Sequence, residues 1–378
     1  MTDTEGALSD QNRVLEVRRA SFGDAELHDT AAAELQPGEI RLRIDEFALT
    51  ANNISYAGAG DLLGYWDFFP AEHDRAVWGR VPAMGWAEIV ESANPDLPAG
   101  GRYYGWFPMA DSVTFTATAT RDGFRDDGAH RQAHAPVYRA YVASDRDPYS
   151  DAAPDGEDRH AVLRVLFLTG FLADEFFADC GGAGGDAYFG AEQVIVLSAS
   201  SKTAIGFAQR AAKRAGLSVI GLTSASNVAF VESLGFYDIV VSYDDIAQLP
   251  GGPSVIIDMA GNPSVLADVH AHLGDDVRHS MMVGRSHHDS PPASTDLTGP
   301  APQFFFAPMD IERQLAAWGP DEYRRRSAEA MLEFIDGSRS WLEIEHRRGP
   351  DGVVSAWADV YNGSVAPNVG LIASFASA

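Results

Sequence analysis

Residues 198–203 read Ser-Ala-Ser-Ser-Lys-Thr, a short run that carries four hydroxyls and one ammonium. Hydroxyl and ammonium donors gathered in a tight loop suit an anion, above all a phosphate. The flanking residues decide whether the loop is set up to hold one. VIVLS at 194–198 reads as a buried strand, residues 204–215 as a helix stopped by Gly216, and LSVIGL at 217–222 as a second strand. Strand, polar loop, helix, strand is the order of a dinucleotide-binding βαβ unit, in which loop N–H groups and the positive helix end hold a pyrophosphate. The glycine fingerprint of such units is absent, and small residues stand in its place up to Ala204. Ser198, Ser200, Ser201 and Thr203 are therefore expected to donate hydrogen bonds to a diphosphate, with Lys202 supplying a cation.

Other phosphate and acyl chemistries need different residues. An NTPase phosphate loop has glycines six and one residues before its lysine, where this chain has Val196 and Ser201. A penicillin-binding Ser-x-x-Lys needs serine at 199 and meets Ala199. Two alternatives stay open for Lys202: a solvated loop residue, or the centre of a hydrolase or phosphoryl-transfer enzyme. About twenty residues beyond the loop, NAD-binding units carry an Asp or Glu for the ribose hydroxyls. Here Thr223-Ser224-Ala225-Ser226-Asn227 offers hydroxyls and an amide instead. Without a carboxylate to repel a 2′-phosphate, NADP(H) is expected over NAD, held by Thr223, Ser224 and Asn227. The same residue types serve equally as a turn and a helix N-cap.

The elements around this unit give an α/β chain of 378 residues, a length that favours two domains. From 14 to about 149 the pattern is of short β-rich runs punctuated by turns, as in IRLRIDEFAL at 40–49 and WAEIVES at 86–92. Residues 145–159, rich in Pro, Gly and acid, read as a linker or surface loop, with a domain boundary there. Beyond it, apolar runs alternate with helices, the pattern of a parallel sheet covered by helices. DIVVS at 238–242, VIIDM at 255–259 and SMMVG at 280–284 are the further strands, and 227–234 and 263–273 the further helices. A helix is expected over 320–335, and WLEIEHRR at 341–348 with VVSAWADVY at 353–361 reads as a closing strand pair.

Charge excludes whole classes of partner. Against 28 Lys+Arg stand 54 Asp+Glu, a net charge of −26, which repels nucleic acid and anionic membrane surfaces. Composition is ordinary for a folded protein, with 46% hydrophobic residues. The single cysteine, Cys180, rules out an internal disulfide framework and a Cys-rich zinc knuckle. The N-terminus lacks a basic, apolar secretory leader, and VLFLTGFLA at 165–173 falls short of the roughly 20 residues that span a bilayer. A cytoplasmic protein with a small-molecule substrate is expected.

Segment 191–284, with LGFYDIVVSYDDI at 234–246 and DMAGN at 258–262, resembles the medium-chain dehydrogenase/reductase superfamily, in its zinc-free, quinone-oxidoreductase-like branch. More closely, ALTANNISYA (48–57), YWDFFPA (65–71), SASSKTA (198–204), GLTS (221–224) and FFFAP (304–308) resemble a family of uncharacterised proteins attached to that superfamily. The resemblance implies a GroES-like catalytic domain over 1–160, rejoined by 305–378, and a Rossmann domain over 161–304. It further implies NADP(H), a homodimer, and an active site in the interdomain cleft. Ala260, Gly284 and Arg285 are expected beside the cofactor, and the strand at 280–284 as the sheet edge through which a dimer forms.

Zinc-dependent relatives use Cys and His ligands, which this chain lacks where they are expected, and no catalytic metal is predicted. Among histidine pairs, His130 and His134 flank Arg131, His270 and His272 point to different helix faces, and His287-His288-Asp289 lies in a loop. Without metal, a carbonyl or activated double bond is reduced by hydride from the nicotinamide, with a polarising hydrogen bond and a proton source alongside. By resemblance, Tyr56 is expected as the proton donor and Asn53 as the substrate-orienting group, with Asn52 and Tyr65 in reserve. Core packing is the competing use of these side chains. The expected activity is NADPH-dependent reduction of an enone, quinone, enoyl thioester or ketone. The alternative is a non-catalytic NADP(H)-binding sensor or subunit.

Overall fold

The structure, a computed structural model, describes residues 11–259, 261–284 and 297–377. Two compact units divide it. One contains the chain up to Val162 with Glu343–Val365 and the residues from Val369; the other contains Leu163–Leu342 and Ala366–Asn368.

The first unit begins with the hairpin β1 (Gln11–Arg18) and β2 (Ser21–Ala31), followed by β3 (Glu39–Leu49), α1 (Ala51–Gly58) and β4 (Trp78–Gly79). It continues with β5 (Pro82–Ser92), β6 (Arg102–Pro108), β7 (Ser112–Ala119), β8 (Gly123–Asp126) and β9 (Ala140–Ala143). Strands β3-β5-β6-β9-β8-β7 hydrogen-bond in that order, and β7 pairs back onto β3, which closes a barrel. Hairpin β1–β2 and β4 form a separate three-stranded sheet. Trp86, Phe47, Phe107, Phe124 and Tyr141 are fully buried in this unit.

Helix α2 (Gly156–Ala178) leads into the second unit. There the chain alternates β10 (Gln193–Leu197), α3 (Lys202–Ala211), β11 (Ser218–Thr223), α4 (Val228–Ser233), β12 (Ile239–Ser242), β13 (Ser254–Asp258), α5 (Pro263–Leu273) and β14 (Val277–Met282). A two-residue strand β15 (Gln303–Phe304) follows, then α6 (Ala307–Trp318) and α7 (Pro320–Ser338). All pairings in the order β12-β11-β10-β13-β14-β15 are parallel. Central strands of a parallel sheet are covered on both faces, which is why QVIVL and SVIID are apolar runs buried at every position. Ile195, Leu197, Ile220, Leu222, Ile256, Leu266 and Val269 form one core layer. Against α2, α7 contributes Phe334, stacked on Phe167 at 4.7 Å.

The chain then returns to the first unit through β16 (Glu343–Arg348), α8 (Gly349–Tyr361) and β17 (Val369–Ser374), with β17 pairing on β3. Four sequence expectations change here. VVSAWADVY is helical, not a strand. Pro350 opens α8, and Val353, Ala356, Trp357 and Val360 are its buried residues, a 3.6-residue period that overrides the β-propensity of valine and tryptophan. The strand at 280–284 is not the sheet edge, because β15 pairs with Met281 and Met282 on its outer side. The linker read at 145–159 ends early, since α2 starts at Gly156. Residues 305–342, read as joining the first domain, lie within the second unit, and the return begins at Glu343.

Candidate functional site

The loop between β10 and α3 is held by two side chains from other elements. Ser198 adopts φ +60°, the left-handed region that glycine enters freely and that costs another residue of order 1–3 kcal/mol. Tyr243 holds it there: the Ser198 N–H donates to the Tyr243 hydroxyl at 3.1 Å, and the two hydroxyls meet at 3.2 Å. Tyr237 donates its hydroxyl to the Ala199 carbonyl at 2.9 Å. The Ala199 methyl is fully buried and faces Gly221, where an added Cβ would lie 3.0 Å from it. That methyl is turned into the core, so it leaves the other side of the loop as free of bulk as a glycine would.

The hydroxyls of the loop divide into two uses. Ser201 caps α3, its oxygen accepting the Ala204 N–H at 3.2 Å. Ser200 is different: its oxygen accepts from Thr223 Oγ1 at 3.3 Å and from Asn227 Nδ2 at 3.1 Å. Both lone pairs of Ser200 are then filled, and its own proton is left to donate. The structure thus brings together Ser200, Thr223 and Asn227, while Ser224 pairs with Ser226 at 3.0 Å. Thr203 stands in the first turn of α3, where backbone N–H groups have no helical partner. Lys202, partly buried, donates to the Pro367 carbonyl at 3.1 Å, and burial pulls its ammonium down to about 8. Gly284 follows β14, and a Cβ there would lie 2.8 Å from the Met259 carbonyl oxygen. Ala260, Arg285 and the His287-His288-Asp289 run lie outside the described residues.

In the first unit, α1 positions the residues expected to do proton chemistry. Thr50 caps the helix, and Asn53 completes a capping box, its Oδ1 accepting the Thr50 N–H at 2.8 Å. Asn53 Nδ2 donates to the Pro82 carbonyl at 3.0 Å, and the residue is buried. Asn53 therefore works as a cap, and the amide that reaches a tyrosine is Asn52, whose Nδ2 donates to the Tyr56 hydroxyl. Asn53→Ala is expected to cost about 2 kcal/mol from the lost cap and the orphaned carbonyl, seen as a lower urea midpoint at unchanged m-value.

Tyr56 packs its ring 4.8 Å from Tyr65 and 5.1 Å from Trp106. Burial, with lesser contributions from Tyr65 and Tyr104, pushes its hydroxyl well above the ordinary tyrosine range. Tyr65 meets Tyr138 hydroxyl to hydroxyl at 3.1 Å, and burial raises both phenols as well. Tyr138, in a single turn at Pro136–Tyr138, has no sequence signal to mark it. Phenols so placed stay protonated across the neutral range, so they act as hydrogen-bond donors that yield a proton only to a strong base such as an enolate.

A protein family described as "Protein of unknown function (DUF2855)" matches this chain over residues 47–366. The chain belongs to that family. Among curated proteins, none matches this DUF2855 member. Solved structures match it in fold. CurA from Vibrio vulnificus, in complex with NADPH, superposes with a TM-score of 0.62 at 11% identity, over 97% of this chain and 100% of that one. A putative NADPH:quinone reductase from Mesorhizobium loti gives 0.59 at 12% identity, over 98% and 100%. A probable oxidoreductase from Mycobacterium abscessus gives 0.54 at 14% identity, over 96% and 99%. The DUF2855 chain thus has the fold of the medium-chain dehydrogenases/reductases, a GroES-like barrel and a Rossmann sheet.

The histidine pairs of the DUF2855 chain divide as follows. His270 is a buried core residue between the Thr298 carbonyl at 2.8 Å and the Ser280 hydroxyl at 2.9 Å. His272 contacts the Leu249 carbonyl at 2.9 Å, on a different side of α5. Among the described residues, the groups of three close enough to share an ion are Glu16, His28 and His73, and Glu46, Asp158 and His346. No spacing in the sequence links either group: Glu16 and His28 lie on the paired strands β1 and β2 with His73 in a loop, and Glu46, Asp158 and His346 lie on β3, α2 and β16. No helix among the described residues is long and apolar enough to cross a membrane.

Proposed function

We propose that this protein is a cytoplasmic, homodimeric NADPH-dependent oxidoreductase that reduces an activated C=C or C=O, in an enone, quinone, enoyl thioester or ketone, without a catalytic metal. The observation that carries the reading is Ser200, whose two acceptor positions are filled by Thr223 and Asn227 and whose proton is left for an anion. The loop also fits the cofactor sterically, with the Ala199 methyl buried and a left-handed Ser198 where a glycine is usual. The fold-level likeness to CurA, crystallised with NADPH, and to a putative NADPH:quinone reductase supports the same cofactor.

When bound, NADPH would supply the hydride. Ser200 and the Lys202 and Thr203 N–H groups at the start of α3 would hold its diphosphate, and Thr223 and Asn227 orient Ser200 toward it. Thr223 and Ser224 present no carboxylate against a 2′-phosphate. Tyr56, whose hydroxyl accepts from Asn52, keeps its own proton to polarise the substrate oxygen and to protonate the anion that hydride addition leaves. A non-catalytic NADP(H)-binding subunit is the second reading, favoured by the use of Asn53 as a helix cap. Turnover of any acceptor in a panel of enones and quinones excludes it.

The direct test is melting with and without NADPH. A ligand at 100 times its Kd stabilises by about 2.7 kcal/mol, and NADH should give less. With its ammonium at about 8, Lys202 is charged below that pH and neutral above it, so NADPH affinity should fall as pH rises through 8. Because the folded value lies below the ordinary lysine value of 10.5, the buried charge destabilises the fold below pH 8, and this penalty fades as pH approaches 10.5. Lys202→Met is expected to raise the melting temperature at pH 7 and to weaken NADPH about tenfold, with a flat pH profile. An unchanged NADPH shift in Lys202→Met removes that side chain from the cofactor site.

A further inference from the structure

The two His-carboxylate groups differ in what already fills them. At Glu46, Asp158 and His346, the Arg102 guanidinium lies 3.1 Å from Glu46 and the His346 ring 3.1 Å from Asp158, so both carboxylates already have a nitrogen partner. At Glu16, His28 and His73 an arginine and a histidine also approach the carboxylate, but two of the ligating atoms make no hydrogen bond among the described residues. The Glu16 side chain is fully buried, and its Oε1 takes the Arg80 guanidinium at 2.7 Å. Among the described residues its Oε2 accepts no hydrogen bond, although His73 Nε2 stands 3.2 Å away. His28 Nε2 is likewise buried without a partner. A buried carboxylate oxygen and a buried imidazole nitrogen, both unsatisfied, carry a desolvation penalty that a shared ligand would relieve.

The scaffold presents these atoms to one point. In hairpin β1–β2, Val14 faces His28 and Glu16 faces Glu26, which puts His28 diagonal to Glu16 on one face of the ribbon. His73 comes from the loop before β4, which β1 anchors through the Arg18–Trp78 pair. The His28 and His73 rings lie 4.4 Å apart, and the three ligating atoms are all within 4.8 Å of one another.

We propose that Glu16, His28 and His73 bind a divalent transition-metal ion of borderline softness, Zn²⁺ foremost, which ties the N-terminal hairpin to the loop before β4. Two imidazole nitrogens and one carboxylate oxygen are a zinc donor set, and three protein ligands leave a fourth position for water. Donor atoms that all lie within 4.8 Å of one another need only a small inward movement to reach about 2.0–2.2 Å from a shared ion, and the His73 side chain is 39% exposed. Arg80 holds the outer carboxylate oxygen and so aims the inner one, and Glu72, 3.4 Å from Arg80, offsets its charge. The ion has a structural role, independent of the reductase reading.

The test uses the full-length, tag-free protein stripped with chelator and titrated calorimetrically with Zn²⁺, with Mg²⁺ as the hard-ion control. One equivalent of Zn²⁺ should bind and raise the melting temperature, Mg²⁺ should not, and His73→Ala and His28→Ala should each weaken Zn²⁺ about tenfold or more. X-ray absorption of the loaded protein should give two imidazole nitrogens. His73, on a half-exposed loop position, can be removed without threatening the fold. Failure to take up Zn²⁺, undiminished binding in His73→Ala, or binding abolished by His346→Ala instead each overturns the assignment.

Discussion

Tyr56→Phe is expected to lower kcat by about 10²–10³ with KM nearly unchanged, the usual share of a positioned general acid. Phenylalanine keeps the ring contacts with Tyr65 and Trp106, and the hydrogen bond removed among the described residues is the one from Asn52, which is half-buried and can turn to water. The fold should therefore lose no more than about 1 kcal/mol. Burial raises the Tyr56 hydroxyl, so its acid form is complete at neutral pH and the wild-type rate should not titrate through this group between about pH 6 and 9. A rate that falls through pH 8 would instead report Lys202 and the cofactor. The measurement is a steady-state pH profile of wild type and Tyr56→Phe with one acceptor. Should Tyr56→Phe match the wild-type kcat while Tyr65→Phe or Tyr138→Phe does not, the proton comes from the other end of the tyrosine cluster.

The cofactor half of the fold was readable because its signals are local. Strands buried on both faces are apolar runs, and the Pro263–Leu273 helix appears where Asn262 and Gly274 frame it. What escaped reading depends on residues distant in sequence. Tyr243 and Tyr237 hold the loop in shape, yet nothing around them says that their hydroxyls reach back to Ser198 and Ala199. Asn53 and Asn52 are adjacent and chemically identical, and only the capping geometry tells which one serves the helix and which one meets Tyr56. At 353–361, within the helix at 349–361, valine and tryptophan suggest a strand when counted by type and a helix when counted by spacing. The Glu16, His28 and His73 group combines a strand, its hairpin partner and a loop, so its residues carry no motif at all.

Gly170 is where the second unit is least tolerant of added volume. Glycine inside a helix costs about 1 kcal/mol relative to alanine, so its presence in the middle of α2 calls for a packing reason. The reason is backbone contact: a Cβ on Gly170 would sit 2.7 Å from the Phe207 nitrogen and 2.9 Å from the Thr203 carbonyl oxygen. From the other side, a Cβ on Gly206 would sit 3.1 Å from the Phe167 ring and 3.3 Å from its Cα. Helices α2 and α3 thus touch main chain to main chain, and no side-chain rotamer can relieve the overlap. Gly170→Leu is expected to destabilise by about 4 kcal/mol or more, at the severe end for overpacking, and Gly170→Ala by about 2 kcal/mol. Because α3 follows the loop proposed to hold the diphosphate, the displacement should reach Thr203 and weaken NADPH more than the loss of stability alone explains. Gly337 is the control: it lies in α7 with only the Gln209 amide 3.6 Å from an added Cβ, so Gly337→Ala should instead stabilise by about 0.5–1 kcal/mol. If chemical denaturation finds Gly170→Ala as stable as Gly337→Ala, the close α2–α3 contact does not position the cofactor loop, and the link from helix packing to phosphate binding is broken at its first step.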